Sequence, residues 1–218
     1  MDILNSQQLT YLDGYLHAFR EPGIYTYRVL FLPRGYEGSE PDSAYTIEVG
    51  REGNEPGSGK QHDITLRWDA SKRAYQPEPA QLSLGVNDYV LWHVTTTTVA
   101  IPPYSIRGAA EDRPAFDSRA MGQHDVFTHF FMTSGDYTYT ISGRVEGRIS
   151  VHDHREVDPS EYQKRTTEAP VVRIIQGKPE PERLEVFTGQ TVVWVVEEGE
   201  QVTIAVKRAT ERSQAKPR

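Results

Sequence analysis

Four histidines between residues 124 and 154 are the side chains best suited to chemistry in this sequence. His152 and His154 stand two positions apart, so an extended backbone places both imidazoles on one side of the chain. Together with His124 or His129 they could form a zinc, nickel or copper site, because neutral imidazole is a common ligand of these metals. A metal-binding protein that uses these four histidines is therefore one hypothesis.

Basic side chains offer a second kind of site, one that binds through charge. Arg144 falls in a short predicted loop, and residues 207–218 contain five basic side chains against one acidic side chain. We predict that 207–218 is a flexible tail and that an acidic partner or an anionic membrane surface is contacted by Arg144, Lys207, Arg208 and Arg212. The formal net charge of the whole chain is −7, which argues against general nucleic-acid binding.

Patterns typical of catalysis are weak in this chain. It has no Gly-x-Ser-x-Gly nucleophile elbow, and the three acidic residues Glu197, Glu198 and Glu200 fall in a predicted exposed turn and not in a cleft. The sequence contains no cysteine, so it offers neither a thiolate ligand nor a disulfide. We therefore predict a protein that is not an enzyme and that carries no cofactor.

The stretch from Phe116 to Val151 holds two of the four candidate histidines, His124 and His129, and its pattern is that of two strands joined at a tight corner. Between Gly135 and Ile141, tyrosine or isoleucine alternates with aspartate or threonine, which is the period of a strand with one buried face. The alternation resumes at Gly147 after a short loop. His152 and His154 follow directly after the second of these strands.

The same stretch resembles the C-terminal half of a cupredoxin, the plastocyanin and azurin family of blue-copper β-sandwiches. It has the Phe-Asp-Ser start, the aromatic run, the Gly-x-Tyr-x-Tyr strand and the closing Gly-x-Ile-x-Val of that family. Ile141 stands where the family has its copper-binding cysteine, and Arg144 stands where it has a histidine. The loop that ends at Gly147 is too short to carry the methionine ligand. The resemblance therefore implies a cupredoxin-like scaffold without copper.

Two internal repeats extend this pattern over the chain. Residues 19–29 match residues 131–141, with Phe, Gly, Tyr-Thr-Tyr and an aliphatic residue at identical spacing. Residues 77–92 match residues 179–194 without gaps and share Pro-Glu-Pro, Leu, Val and Trp. The N-terminus thus looks like the end of a unit, and the C-terminus looks like the beginning of one. The matched tryptophans, Trp92 and Trp194, are predicted to be core residues.

These repeats predict an all-β protein with two cupredoxin-like Greek-key β-sandwiches, one of them discontinuous. The predicted boundaries are 63–155 for the complete domain, 1–50 plus 170–206 for the discontinuous domain, and 51–62 and 156–169 for linkers. A short helix from Pro159 to Lys164 is the alternative for the second linker. Two other arrangements remain open, namely pairing of the terminal pieces between chains, as in a filament or swapped oligomer, and an unpaired remnant.

The leading functional prediction is a non-catalytic structural or binding subunit that uses these domains for protein–protein contacts. The family resemblance implies an extrinsic subunit of a membrane-bound electron-transfer or photosynthetic assembly. The sequence shows neither a secretory signal nor an apolar membrane span, so we expect a cytoplasmic protein, peripheral on the cytoplasmic face of a membrane. The alternatives are the metal-binding protein described above and a soluble ligand-binding module with a pocket of tyrosine and tryptophan rings.

Overall fold

The computed structural model describes residues 3–31, 43–55, 57–95 and 101–209. Within these ranges the regular elements are β-strands, apart from one short α-helix, α1 (Pro159–Arg165), and a 3₁₀ turn (His154–Glu156). The all-β prediction is therefore confirmed. In chain order the strands are β1 (Ile3–Asn5), β2 (Asp13–Ala18), β3 (Gly23–Phe31), β4 (Tyr45–Gly53), β5 (Gln61–Asp69), β6 (Ala74–Glu78), β7 (Gln81–Val86), β8 (Tyr89–Val94), β9 (Tyr104–Ala110), β10 (Arg113–Asp117), β11 (Asp125–Phe130), β12 (Gly135–Ile141), β13 (Val145–His152), β14 (Val171–Ile175), β15 (Lys178–Glu180), β16 (Arg183–Phe187), β17 (Thr191–Glu198) and β18 (Ile204–Arg208).

These strands form three sheets. An eight-stranded central sheet has the order β15-β14-β17-β11-β2-β8-β5-β6. The first cover sheet has the order β10-β9-β3-β4-β7, and the second cover sheet has the order β1-β18-β12-β13-β16. Each cover sheet packs against one half of the same face of the central sheet, and the buried side chains between them form one continuous core. The result is two sandwich halves that share a sheet.

The two halves follow a single strand plan, related by a pseudo-two-fold axis perpendicular to the central sheet. Strands β2 to β9 of the first half correspond in sheet order to β11 to β18 of the second half. β2 and β11 pair antiparallel at the centre, with Tyr15 opposite Phe127, and the axis passes between these two residues. The ends of the plan differ, because β10 follows β9 along the chain whereas its place in the second half is taken by β1.

Aromatic side chains fill the core at equivalent places in the two halves. Trp92 and Trp194 are fully buried, as predicted for the matched tryptophans. Tyr27 of the first cover sheet packs edge-on against Trp92 with ring centroids 5.5 Å apart, and Tyr139 of the second cover sheet does the same against Trp194 at 5.9 Å. Because each such ring removes a large apolar area from water, these contacts stabilise the packing of the cover sheets on the central sheet.

The predicted pairing of residues 1–50 with residues 170–206, around a complete domain at 63–155, is wrong in its grouping. β3 pairs with β9, and β4 pairs with β7, so the N-terminal piece closes a sandwich with the segment that directly follows it. In the same way β12 pairs with β18. The sequence repeats correspond to structural repeats. However, segments that resemble the end of a unit alternate along the chain with segments that resemble its beginning. The order of these segments does not show whether each one packs against the segment before it or the segment after it. Within the described residues, β1 and Ser6 join the N-terminus to the C-terminal piece, because β1 pairs with β18 and Ser6 exchanges hydrogen bonds with Ile204.

The predicted linkers are also partly structured. Residues 51–53 continue β4 and residues 61–62 begin β5. The segment between them is tied to the first half, because Asp88 accepts hydrogen bonds from Asn54 Nδ2 at 2.7 Å and from the Lys60 amide at 2.8 Å. In the second linker, α1 confirms the alternative of a short helix.

The predicted tail begins too early, since residues 207–208 belong to β18, and residues 210–218 lie outside the described part of the chain.

Candidate binding surfaces at the junction of the two halves

Two reciprocal His–Asp pairs join the halves at the centre of the molecule. His17 Nδ1 lies 2.6 Å from Asp125 Oδ1, and His129 Nδ1 lies 2.6 Å from Asp13 Oδ1. The four residues occupy equivalent positions of β2 and β11, so the pseudo-two-fold axis exchanges one pair for the other. Both carboxylates are buried. Each half therefore supplies a carboxylate to the other half's histidine.

Further hydrogen bonds compensate the burial of these carboxylates. Asp125 also accepts from the Tyr15 hydroxyl at 2.8 Å and from the Gly122 amide at 2.7 Å. Asp13 accepts from both the amide and the hydroxyl of Thr10, each at 2.7 Å. Burial, and secondarily the Asp125 charge, raises the pKa of the Tyr15 phenol well above its usual range. The two pairs thus stabilise the pairing of β2 with β11 in the interior of the protein.

Within the described residues, the structure does not bring together the four histidines that the sequence suggested as metal ligands. His129 is buried against a carboxylate, whereas His124 lies in the turn before β11, about 17 Å away along an extended strand. His152 ends β13, and His154 Nδ1 lies 2.7 Å from the Thr188 hydroxyl. Among the residues that the structure describes, no three side chains of His, Cys, Asp or Glu are grouped to hold a metal ion.

Of the predicted charge contacts, Arg144 lies apart from the neighbouring Lys207 and Arg208. Arg144 is exposed in the turn between β12 and β13, beside the buried Ile141. Lys207 and Arg208 are exposed on β18, and Arg208 Nη2 donates to the Ser134 carbonyl at 2.7 Å. Arg212 lies outside the described residues. The described members of this set therefore form no single basic patch.

An apolar band crosses the face of the central sheet that is turned away from both cover sheets, here called the open face. The register of six neighbouring strands sets side chains in one row across it, all partly exposed or exposed. In order, the row reads Arg173, Val195, Val126, Leu16, Leu91 and Asp63. Four aliphatic side chains thus lie side by side, with a cation at one end and an anion at the other. A solvated sheet face is more commonly polar.

The next row of the open face is also largely uncharged. It contains Val171, Val193, Thr128, Gly14 and His93 in strand order. A Cβ on Gly14 would lie 2.6 Å from Thr128 Oγ1 and 3.0 Å from Leu91 Cδ1, so the neighbouring side chains close over this glycine. Phe130, which is 36% exposed, extends the apolar surface along β11. An apolar centre between charged edges is the usual composition of a protein interface.

A cleft of about 360 Å³ lies at the end of the first half, where the second half reaches over it. Its walls come from the end of β2, from β3, from the β9–β10 corner and from the turn before β11. The side chains that line it include His17, Arg20, Glu21, Arg113 and His124. Two arginines and two histidines thus surround the cleft against one carboxylate. It opens directly beside the His17–Asp125 pair.

The second half contributes Gln123 and His124 to this cleft, and His124 is the ionisable one of the two. Its amide donates to the Val196 carbonyl at 2.8 Å, and its φ of 73° places it in a left-handed turn. Burial lowers the pKa of the His124 imidazole below its usual value, and the charges of Arg20 and His17 lower it further, while Asp125 opposes them. Arg20 and His17 are therefore close enough to act on His124 as positive neighbours.

The second half does not reproduce these cationic positions. Residues 112 positions apart are equivalent in this part of the repeat, which places Met132 at the position of Arg20 and Leu12 at that of His124. The backbone agrees, since the Leu12 carbonyl accepts from Phe130 at the opposite end of the β2–β11 ladder. Met132 is 59% exposed. One end of the junction is thus cationic and the other is apolar.

Sequence reasoning missed both surfaces, although part of the signal was present. The 112-residue repeat extends N-terminally to align Asp13 with Asp125 and His17 with His129. This match indicates that the two aspartates, and likewise the two histidines, occupy equivalent positions. Their reciprocal pairing, however, can be predicted only if the antiparallel register of β2 and β11 is known. The open face needs the register of six strands that are distant in sequence. Neither register can be read from local periodicity.

Comparison with known proteins found no matching family model, no matching curated protein and no matching solved structure. In addition, no helix within the described residues combines the length and apolar character that crossing a bilayer requires.

Proposed function

We propose that this protein is a non-catalytic binding subunit that works through protein–protein contact, with the open face of the central sheet as its contact surface. The observation that carries the proposal is the row from Arg173 to Asp63, in which four aliphatic side chains lie between opposite charges. The eight strands give this face a width of about 34 Å and a height of about 17 Å. Roughly 570 Å² per partner, or about 1,140 Å² in total, exceeds the minimum of about 1,000 Å² expected of a biological interface.

The junction supports a role in which the molecule acts as a rigid body. The continuous central sheet and the two buried His–Asp pairs fix one half relative to the other. Each histidine is bound to a buried carboxylate of the other half. The two pairs therefore position β2 relative to β11. A rigid face needs little ordering when it binds, and this lowers the entropic cost of association.

A second copy of the chain is one partner that matches the charges of the row. A two-fold axis parallel to the strands would place Arg173 of one copy over Asp63 of the other, with the aliphatic side chains between them. A different protein with a complementary apolar face would fit equally well. The extrinsic membrane-complex subunit that the cupredoxin resemblance implies is a case of the second kind, and it stays a prediction.

The test is to add one charge to the centre of the open face. Val126→Lys should abolish concentration-dependent dimerisation in sedimentation velocity, or remove the partner that copurifies with the wild-type protein after salt and detergent washes of native membranes. The matched control is Thr26→Lys, which adds the same charge to the exposed side of the first cover sheet. Thermal unfolding of both variants checks that each one folds.

Two results would contradict the proposal. In the first, the wild-type protein sediments as a monomer, and every protein that copurifies with it also copurifies with Val126→Lys. The other is equal loss of association in Thr26→Lys, which would show that added charge acts without regard to the face.

A further inference from the structure

We propose that the cleft at the junction of the halves is a binding site for a small ligand that carries an oxyanion, with Arg20, Arg113 and His124 holding its phosphate or carboxylate group. This site is independent of the open face. It lies at the end of the first sandwich, whereas the open face lies on the opposite side of the central sheet from the core.

Arg20 provides the main argument. Its Nη1 donates to Asn87 Oδ1 at 2.7 Å, while its Nε is buried without a hydrogen-bond partner. Within the described residues Arg20 forms no ion pair, so no carboxylate neutralises its guanidinium. A partly buried guanidinium without a counter-charge favours the approach of an anion, because charge-assisted hydrogen bonds are about twice as strong as neutral ones.

The second arginine can reach the same ligand at little cost. Arg113 Nη2 lies 3.3 Å from Glu111, and both side chains of that pair are more than 80% exposed. Such a surface pair contributes little free energy, so an anion in the cleft competes for the guanidinium easily. Glu21 is the one carboxylate among the lining residues; it is exposed, and its charge adds to burial in raising the pKa of Tyr25. The cations thus outnumber the anion at the cleft.

The asymmetry of the repeat is an independent observation. If Arg20 and His124 served only to hold the fold, the same strand plan would need similar residues at the equivalent positions. The second half has Met132 and Leu12 there and adopts the same plan. The fold therefore does not require these cationic side chains. We infer that they bind a ligand.

His124 adds a dependence on pH. Its neighbours are His17 from the end of β2, Arg20 and Glu21 from the loop after β2, Arg113 from β10 and Asp125 from β11. Because its pKa is lowered, the imidazole is neutral at neutral pH. A bound anion favours the protonated form, so affinity should rise as the pH falls through the pKa of His124.

The experiment titrates the full-length protein with sulfate and, in a separate arm, with inorganic phosphate and with malonate, followed by NMR of the arginine Nε–H and histidine ring signals. We expect saturable binding at one site. Arg20→Met, which installs the residue of the second half, should weaken it by about tenfold or more, and so should Arg113→Gln. His124→Leu should remove the tightening of sulfate binding between about pH 8 and about pH 5.

The matched control is Arg144→Gln, which removes one exposed positive charge in the second half and should leave binding unchanged. The phosphate and malonate arms identify which oxyanion is preferred. Absence of saturable binding for every anion overturns the proposal, as does equal weakening by Arg144→Gln and Arg20→Met. Thermal unfolding of Arg20→Met checks its fold, and if that variant does not fold, Arg113→Gln on the exposed strand β10 decides between the outcomes.

Discussion

Removal of one carboxylate from the junction should destabilise the whole molecule. Asp125→Ala deletes the acceptor of the Tyr15 hydroxyl, the Gly122 amide and His17 Nδ1, at distances of 2.8, 2.7 and 2.6 Å. Breaking a buried pair leaves its partners unsatisfied and costs about 3–5 kcal/mol. For a chain of 218 residues this corresponds to a fall in melting temperature of roughly 2–4 °C per kcal/mol, or about 10 °C in total.

The pseudo-two-fold axis supplies an internal comparison for this prediction. Asp13→Ala removes the acceptor of His129 Nδ1 and of both Thr10 donors, so its cost should be similar. Arg67→Ala breaks an exposed ion pair of 2.7 Å and should cost less than about 1 kcal/mol. The assay is urea unfolding followed by tryptophan fluorescence and circular dichroism, since each half has its own buried tryptophan.

Two results would refute the reasoning about the junction. The first is a loss in Asp125→Ala no larger than that in Arg67→Ala, which would mean that the pair contributes no more than a surface contact. The second is a pair of separate transitions in the wild-type protein, which would mean that the shared sheet does not couple the halves.

Two further predictions concern the second half. Gly147→Ala places a Cβ 2.0 Å from the ring of the buried Tyr139, whose hydroxyl is bonded to the Pro181 carbonyl, so we expect a loss of about 3 kcal/mol in urea unfolding. Gly143→Ala, at a φ of 68° with open space around it, should cost only about 1 kcal/mol; equal losses would contradict the packing argument. Burial raises the pKa of Tyr139 to about 12, so the stability it contributes is present below its unfolded pKa near 10 and is lost as the pH rises through about 12. Spectrophotometric titration of Tyr139→Phe against wild type checks this, and ionisation of every tyrosine near pH 10 in the folded protein would contradict it.

The all-β class was predictable from the sequence because strand alternation is a local property. Tyr25 and Tyr27, like Tyr137 and Tyr139, are buried at every second position, as the period of a strand requires. The equivalence of Trp92 and Trp194 was also visible, since it needs only matched spacing. Local pattern thus identified the strands and the residues that fill the core.

The grouping of pieces and the surfaces depend on contacts that local pattern does not contain. β4 pairs with β7 in the first half as β13 pairs with β16 in the second, yet either order of alternating pieces would give the same sequence repeat. The row that contains Leu16 and Val126 arises only where β2 meets β11. The cationic cleft likewise combines a turn of one half with the strand ends of the other.

The place of β1 has a consequence for how the chain is assembled on the ribosome. β18 lies between β1 and β12, and Ile204 N donates to Ser6 Oγ across 198 residues. Strand β18 follows both neighbours in the sequence and must therefore insert between two strands that were made earlier. A nascent chain that ends before β18 would carry two unpaired edges, which are the surfaces on which strands of other chains add. Completion of the second half thus requires contact between segments about 200 residues apart in the sequence.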